Sequence, residues 1–164
     1  MEQKRQTARQ LAKEFLNRNE PLNWFETLYE LAEGNEKLIP WADMTVNPNL
    51  ASWLQKEKIV GNNGNALIIG CGLGDDAEAI AKLGFKTIAF DIAETAIAWC
   101  KKRFPDSSVK YTSVDLFASP ASWQGSFDFV LQIILSKKRH PCDVFGLVMV
   151  IMSETKFANG FSYY

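Results

Sequence analysis

Apolar positions along the chain change their spacing near residue 65. Before it they recur at the interval of a helical face. Ala8, Leu11, Ala12, Phe15 and Leu16 predict an amphipathic helix running to about Asn17 or Arg18, before Pro21 resets the chain. A second helix is expected from about Leu22 to Glu33, closed by Gly34, and the stretch Leu38 to Asp43 has no clear period. Asn47-Pro48 then read as a cap and first helical position for a helix carrying Leu50, Trp53 and Leu54. From Asn65 strand and helix alternate: strand Ala66 to Ile69, helix Asp76 to Leu83, strand Thr87 to Phe90, and helix Ala93 to Phe104 stopped by Pro105. A third strand follows near Val109 to Thr112 and a fourth at Phe127 to Leu135. Ala93, Ala96, Ile97, Cys100 and Phe104 share one helical face, expected to pack on the sheet. This alternation predicts an α/β domain with a doubly wound, mostly parallel sheet, in which 65–135 form the core, 1–60 a helical lid and 136–164 a divergent tail.

Composition narrows the partners more than the fold. With 164 residues, 47% of them hydrophobic, the chain can bury one core but not two. Its 18 basic and 19 acidic residues leave a net charge of −1, so no overall field steers it to nucleic acid or an anionic membrane. A small, nearly neutral partner fits better. Cys71, Cys100 and Cys142 are odd in number and lack metal-ligand spacing, which suits reduced intracellular thiols. Met1 to Gln10 is polar and charged, unlike a signal peptide, and the longest strongly apolar run, Val144 to Met152, falls far short of the roughly 20 residues that span a bilayer as a helix. A cytoplasmic protein is expected.

The candidate chemistry lies at the strand ends, where open parallel sheets bind their ligands. The first strand runs into Gly70-Cys71-Gly72-Leu73-Gly74, followed at once by Asp75 and Asp76. A helix N-terminus beyond such a turn ordinarily welcomes an anion, but here the position is already acidic. A dinucleotide pyrophosphate would meet like charge, and the third glycine of a dinucleotide turn is replaced by Asp75. S-adenosylmethionine, which has no phosphate and carries a sulfonium and an ammonium, fits better than NAD. Asp91 ends the second strand at a spacing that suits a carboxylate accepting from both ribose hydroxyls; its alternative is to cap the helix that follows. Asp115 follows the third strand and could accept from an adenine amino group, with the Leu116 amide offered to a ring nitrogen and Ile92 and Leu116 sandwiching the base. Gln132, in the fourth strand, completes the candidate cofactor set. Cys71 is there because the turn needs a small side chain, and His140, after Lys137, Lys138 and Arg139, reads as part of a solvated loop.

The run from Ala66 to Phe117 resembles the class I, Rossmann-like methyltransferases that use S-adenosylmethionine, with ALIIGCGLGDD as first motif, AFDIAETAIAWCKKRFP around the second strand and VDLF at the third. Trp24-Phe25-Glu26, Ile39-Pro40-Trp41-Ala42 and Asn47-Pro48-Asn49-Leu50 resemble the start of the thiol, halide and thiopurine methyltransferase group, in which a tryptophan-bearing segment covers the cofactor. The resemblance implies a Rossmann-like fold, S-adenosylmethionine as cofactor and methyl transfer to a small-molecule acceptor such as a thiol. Trp41 is the lid candidate, since an electron-rich ring gains cation–π attraction from a sulfonium; a packing role is the alternative. Two positions depart from the pattern. Ile68 stands two residues before Gly70, where many class I enzymes carry an acid, so the partner of the methionine ammonium is unassigned. After Gln132 the chain diverges, and only one further strand, Val144 to Met152, is expected. The sheet should therefore end in an uncovered apolar edge that invites self-association. No acid–base pair or metal site is visible, which alignment of a soft nucleophile with the methyl group tolerates. Two other functions stand beside the transferase: a cofactor-binding remnant without catalysis, and an NAD-dependent oxidoreductase.

Overall fold

The computed structural model describes residues 2–137 and 144–152. The N-terminal part is helical: α1 (Glu2–Asn17), α2 (Trp24–Ala32), a short 3-10 turn (Glu36–Leu38) and α3 (Pro48–Lys56). Asn47 caps α3 as expected, its side-chain oxygen accepting from the amides of Asn49 (3.0 Å) and Leu50 (3.2 Å), with Pro48 at the position where a missing N–H costs nothing. The core follows as β1 (Asn65–Ile69), α4 (Asp75–Lys82), β2 (Lys86–Asp91), α5 (Glu94–Arg103), β3 (Lys110–Ser113), β4 (Phe129–Lys137) and β5 (Val144–Met152), with two short 3-10 turns after β3.

The five strands form one sheet in the order β3-β2-β1-β4-β5. The first four are parallel, as the alternating pattern required, with Ile69 at the end of β1 facing Phe90 on one side and Gln132 on the other. β5 runs antiparallel to β4 over their whole length. The connection between them, 138–143, decides this, because a parallel return needs a crossover of a dozen or more residues. On its outer side β5 has no partner strand among the described residues. The expected basic loop at Lys137 to His140 falls, beyond Lys137, outside the described residues, as does the tail from 153 onward. None of the described helices is long and apolar enough to cross a membrane.

Two apolar clusters hold these layers. One lies on the sheet, where Ala66, Ile68, Ala89, Phe129 and Leu131 meet Leu50 of α3, Ile80 of α4 and Ile97 and Cys100 of α5. Each fully buried large side chain there contributes about 1.5–3 kcal/mol by leaving water. The other joins α1, α2 and α5 through Ala8, Leu28, Tyr29, Ala32, Ala93 and Ala96. The single face expected for α5 is thus shared: Ile97 and Cys100 pack on the sheet, whereas Ala93 and Ala96 let the lid approach closely. α1 packs on α2, and α2 on α5, so the lid is anchored to the core through α5.

Gly61, in the loop leading to β1, is pressed against the turn before β2: a Cβ there would lie 2.3 Å from the Phe85 amide nitrogen and 2.4 Å from the Gly84 carbonyl carbon. Backbone cannot yield as a side chain can. Gly61→Ala is expected to destabilise the fold by about 3 kcal/mol, while Gly34→Ala, in open space at φ +84°, should cost only about 1–2 kcal/mol from its left-handed backbone. Urea unfolding of the two variants checks the contrast, and equal losses would contradict it.

Candidate functional site

The carboxyl ends of β1, β2 and β3 open into one cavity of about 580 Å3, roofed by residues from α2 and from the segment before α3. Every residue proposed from the sequence lies on it: Trp41, Gly70, Cys71, Gly72, Gly74, Asp91, Ile92, Asp115, Leu116 and Gln132. Their individual parts differ from the expectations in several instructive ways.

Asp91 is buried, only 8% exposed, and its two oxygens divide between two backbone amides: Oδ2 accepts from Gly72 at 2.9 Å and Oδ1 from Ala93 at 3.1 Å. It is not the side-chain cap of α5, the alternative raised from the sequence, because Ala93 occupies the N-cap position without a side-chain bond. Its carboxylate instead pins the glycine turn to the exit of β2. A carboxylate has about four acceptor sites, so capacity remains for a ligand. Burial raises the Asp91 pKa, while the amides of Ala93, Gly72 and Ile92 hold it down.

The cap that α5 lacks comes from the lid. The Glu26 carboxylate of α2 accepts from the Thr95 amide at 3.1 and 3.2 Å and from the Thr95 hydroxyl. A negative charge at a helix N-terminus is stabilising, by about 0.3–1 kcal/mol at exposed sites. Asp76 makes a second clasp, its Oδ1 accepting from the Asn47 amide at 2.7 Å, and its pKa is raised by burial and then by Asp75 and Asp43.

The grounds for disfavouring a pyrophosphate change with the structure. Asp75 is not a bare charge, since Arg103 grips it through both nitrogens at 2.8 and 2.9 Å and also reaches the Leu73 carbonyl. What the turn withholds is its backbone. The Cys71 amide donates to the Phe90 carbonyl, the Gly72 amide to Asp91 and the Gly74 amide to the Cys71 carbonyl. Three amides of the turn are thus directed into the protein, away from a phosphate.

Trp41 lies over the turn: a Cβ at Gly72 would be 3.8 Å from its indole ring and 3.5 Å from the Tyr29 hydroxyl. The ring is also packed edge-on against Trp24, Phe25 and Tyr29 at centroid distances of about 6 Å, so covering and packing coincide in one residue. Cys71 lies beside Cys100, whose thiol donates to the Gly72 carbonyl at 3.2 Å, and this neighbour together with burial pushes the Cys71 pKa up, which makes it a neutral small side chain. No sequence pattern pairs these two cysteines. Asp115 is exposed; its Oδ1 accepts from the Phe117 amide at 2.9 Å and caps the short turn Leu116–Ala118. Leu116 and Phe117, 42% and 89% exposed, form an apolar rim at the mouth. Ile92 and Gln132 are half-buried in the wall.

Tyr29 is among the wall residues that sequence reasoning missed, with Asp43 and Phe25. Its spacing from Phe25 and Ala32 marks a buried helical face, and nothing in that pattern separates a packing tyrosine from one whose hydroxyl reaches a cavity.

Residues 66–143 match a family described as methyltransferase domain, a match that continues beyond Gln132. No curated protein matches the chain. Among solved structures, one described by the conversion of a disulfide bond into a thioacetal group during echinomycin biosynthesis is 24% identical, with a TM-score of 0.47, over 57% of this chain and 39% of that one. An S-adenosylmethionine dependent methyltransferase from Mesorhizobium loti is 26% identical, with a TM-score of 0.39, over 49% and 35%. A glycopeptide N-methyltransferase complexed with sinefungin is 15% identical, with a TM-score of 0.37, over 44% and 31%. The chain thus spans less than two fifths of the length of each of these structures.

The raised pKa of Asp91 has a definite sign in the pH dependence of stability. A carboxyl that holds its proton more tightly when folded contributes stability that is complete below the unfolded value of about 4 and is lost as pH rises through the folded value. Asp91→Asn cannot titrate. The wild-type stability, measured relative to this variant by urea unfolding, should therefore decline as pH rises across that window. A flat difference would contradict the assignment.

Proposed function

We propose that the chain binds S-adenosylmethionine and transfers its methyl group to a small molecule, a thiol or another soft nucleophile. The observation that carries the reading is the convergence of three strand ends on one cavity whose glycine turn directs the amides of Cys71, Gly72 and Gly74 into the protein and whose wall carries the carboxylates of Asp43, Asp76, Asp91 and Asp115. Such a wall suits a ligand bearing a sulfonium and an ammonium and does not suit a phosphate. The methyltransferase-domain match over 66–143 supports the same reading.

In this arrangement Asp91 accepts from the ribose hydroxyls with the lone pairs left by Gly72 and Ala93. Asp115 receives the adenine amino group, and Ile92 and Leu116 flank the ring. Trp41 faces the sulfonium side above Gly72, with Cys71 and Gly74 shaping the turn and Gln132 closing the β4 side. The cofactor supplies an electrophilic methyl group. The chain's own share is to bind, to exclude water and to align the acceptor, for which Leu22, Trp24, Phe25 and Phe117 provide an apolar approach. For a nucleophile that ionises easily, alignment alone lowers the barrier substantially. The partner is a small molecule, not nucleic acid or membrane, and the chain associates with itself through the outer edge of β5, whose backbone groups have no strand beside them among the described residues.

Titration calorimetry with S-adenosylmethionine and with NAD tests the cofactor: the first should bind and the second should not, and the reverse would end the reading. Asp91→Asn should weaken S-adenosylmethionine by about 1–2 kcal/mol, the difference between charged and neutral hydrogen bonds to two hydroxyls. Transfer of a labelled methyl group to a panel of thiols and amines tests the reaction; binding without transfer to any acceptor would favour the non-catalytic alternative.

Sedimentation velocity over a hundredfold range of concentration tests the association. Dimers that grow with concentration are expected, and a monomer throughout would remove the β5 edge as an interface.

A further inference from the structure

The Tyr29 hydroxyl is almost fully buried, its residue 1% exposed, yet it lies on the wall of the cavity directly above the glycine turn. It accepts a hydrogen bond from Trp41 Nε1 at 2.9 Å, which fixes the orientation of the oxygen. Its own O–H has no acceptor among the described residues, although a buried hydroxyl proton left unpaired costs about 1–3 kcal/mol. The surrounding indole rings of Trp41 and Trp99 hold the phenol edge-on at centroid distances of 6.1 and 5.9 Å, so it is not free to swing toward another partner. Burial and the neighbouring Asp91 carboxylate raise its pKa, so the group keeps its proton and acts as a donor.

A donor so placed calls for an acceptor on the ligand. S-adenosylmethionine brings one anionic group, the carboxylate at its amino-acid end, and that group needs donors. The amides of Cys71, Gly72 and Gly74 are engaged within the protein. No lysine, arginine or histidine lines the cavity among the described residues, and Arg103, beside the turn, is taken by Asp75 and the Leu73 carbonyl. The ribose and the base have their partners in Asp91 and Asp115. We infer that the Tyr29 hydroxyl, oriented by Trp41, donates to the carboxylate of the bound cofactor and thereby selects ligands that retain an intact amino-acid end. The inference rests on the S-adenosylmethionine reading above and assigns the lid a recognition role beyond coverage.

The test compares S-adenosylmethionine with its decarboxylated form, which keeps the sulfonium, the amine and the nucleoside. Kd values from calorimetry, with quenching of tryptophan fluorescence as a second readout, give the ratio of the two affinities for each protein. The wild-type protein should prefer the intact ligand by about tenfold or more, the value of a hydrogen bond to a charged group. Tyr29→Phe retains the ring and its packing, and should cut that preference to within about threefold by weakening only the intact ligand. Trp41→Phe removes the N–H that orients the hydroxyl and should lower the same ratio whatever it does to the sulfonium contact, so the inference stays testable if Tyr29→Phe fails to fold. An unchanged ratio in the variants, or equal loss of both ligands, would overturn the assignment and leave the cofactor reading in place. Failure of the wild-type protein to bind either ligand would overturn both.

Discussion

The arrangement of the site depends on one carboxylate. Asp91 sits where β2 leaves the sheet and holds the amide of Gly72, at the end of β1, and that of Ala93, ahead of α5. Two neighbouring strand ends and one helix are thereby locked together by a charge that burial penalises. Without those amides the carboxylate would be an uncompensated buried charge, and without the carboxylate the Gly72 amide would lose its partner. The cost of burying Asp91 and the conformation of the turn are therefore one constraint. The turn takes its left-handed geometry, with φ +64° at Gly70, +53° at Gly72 and +90° at Gly74, around a point already fixed at β2.

From that point the lid is placed by electrostatic contacts between segments far apart in the chain. Glu26 supplies the side-chain cap that the N-terminus of α5 lacks, and Asp76, at the start of α4, takes the amide of Asn47 ahead of α3. Arg103, at the end of α5, closes on Asp75 at the start of α4. The acids that look from the sequence like a repulsive cluster beside the turn are each assigned a backbone or guanidinium partner. The apolar contacts of Ala93 and Ala96 with α2 then set how closely Tyr29 and Trp41 approach the turn.

The parallel core was legible because its apolar runs and glycine stops each obey one local rule. Asn47-Pro48, Gly84 and Pro105 fall at the element ends they announce, and Ile69, Phe90 and Gln132 meet side by side because successive strands in an alternating chain must pair in parallel. The positions of the proposed cofactor residues followed from the same rule, and all of them reached one cavity. What the sequence did not carry was partnership over distance. Glu26 bonds to Thr95 and Cys71 meets Cys100, and neither pairing leaves a periodic trace. Asp75 read as a repulsive charge only while Arg103, on another helix, was out of view. The antiparallel β5 was in principle readable from the short 138–143 connection, but an apolar run carries no direction.

A glycine-rich turn is usually valued for the amides it frees, and here those of Cys71, Gly72 and Gly74 are committed. The consequence reaches the choice of ligand through polarity. A site that offers N–H groups stabilises negative charge, whereas one that has used its N–H groups and retains carboxylate lone pairs stabilises positive charge and accepts from hydroxyls. Replacing the exposed donors of the turn by the acceptors of Asp91, Asp76 and Asp43 reverses the sign of the site while leaving the strand–turn–helix path in place. The aromatic roof of Trp41, Phe25 and Trp24 works in the same direction, because a π face attracts cations and tolerates an apolar acceptor beside them. One fold path can thus serve phosphate-bearing or sulfonium-bearing ligands, according to whether the second strand ends in a group that consumes the amides of the first.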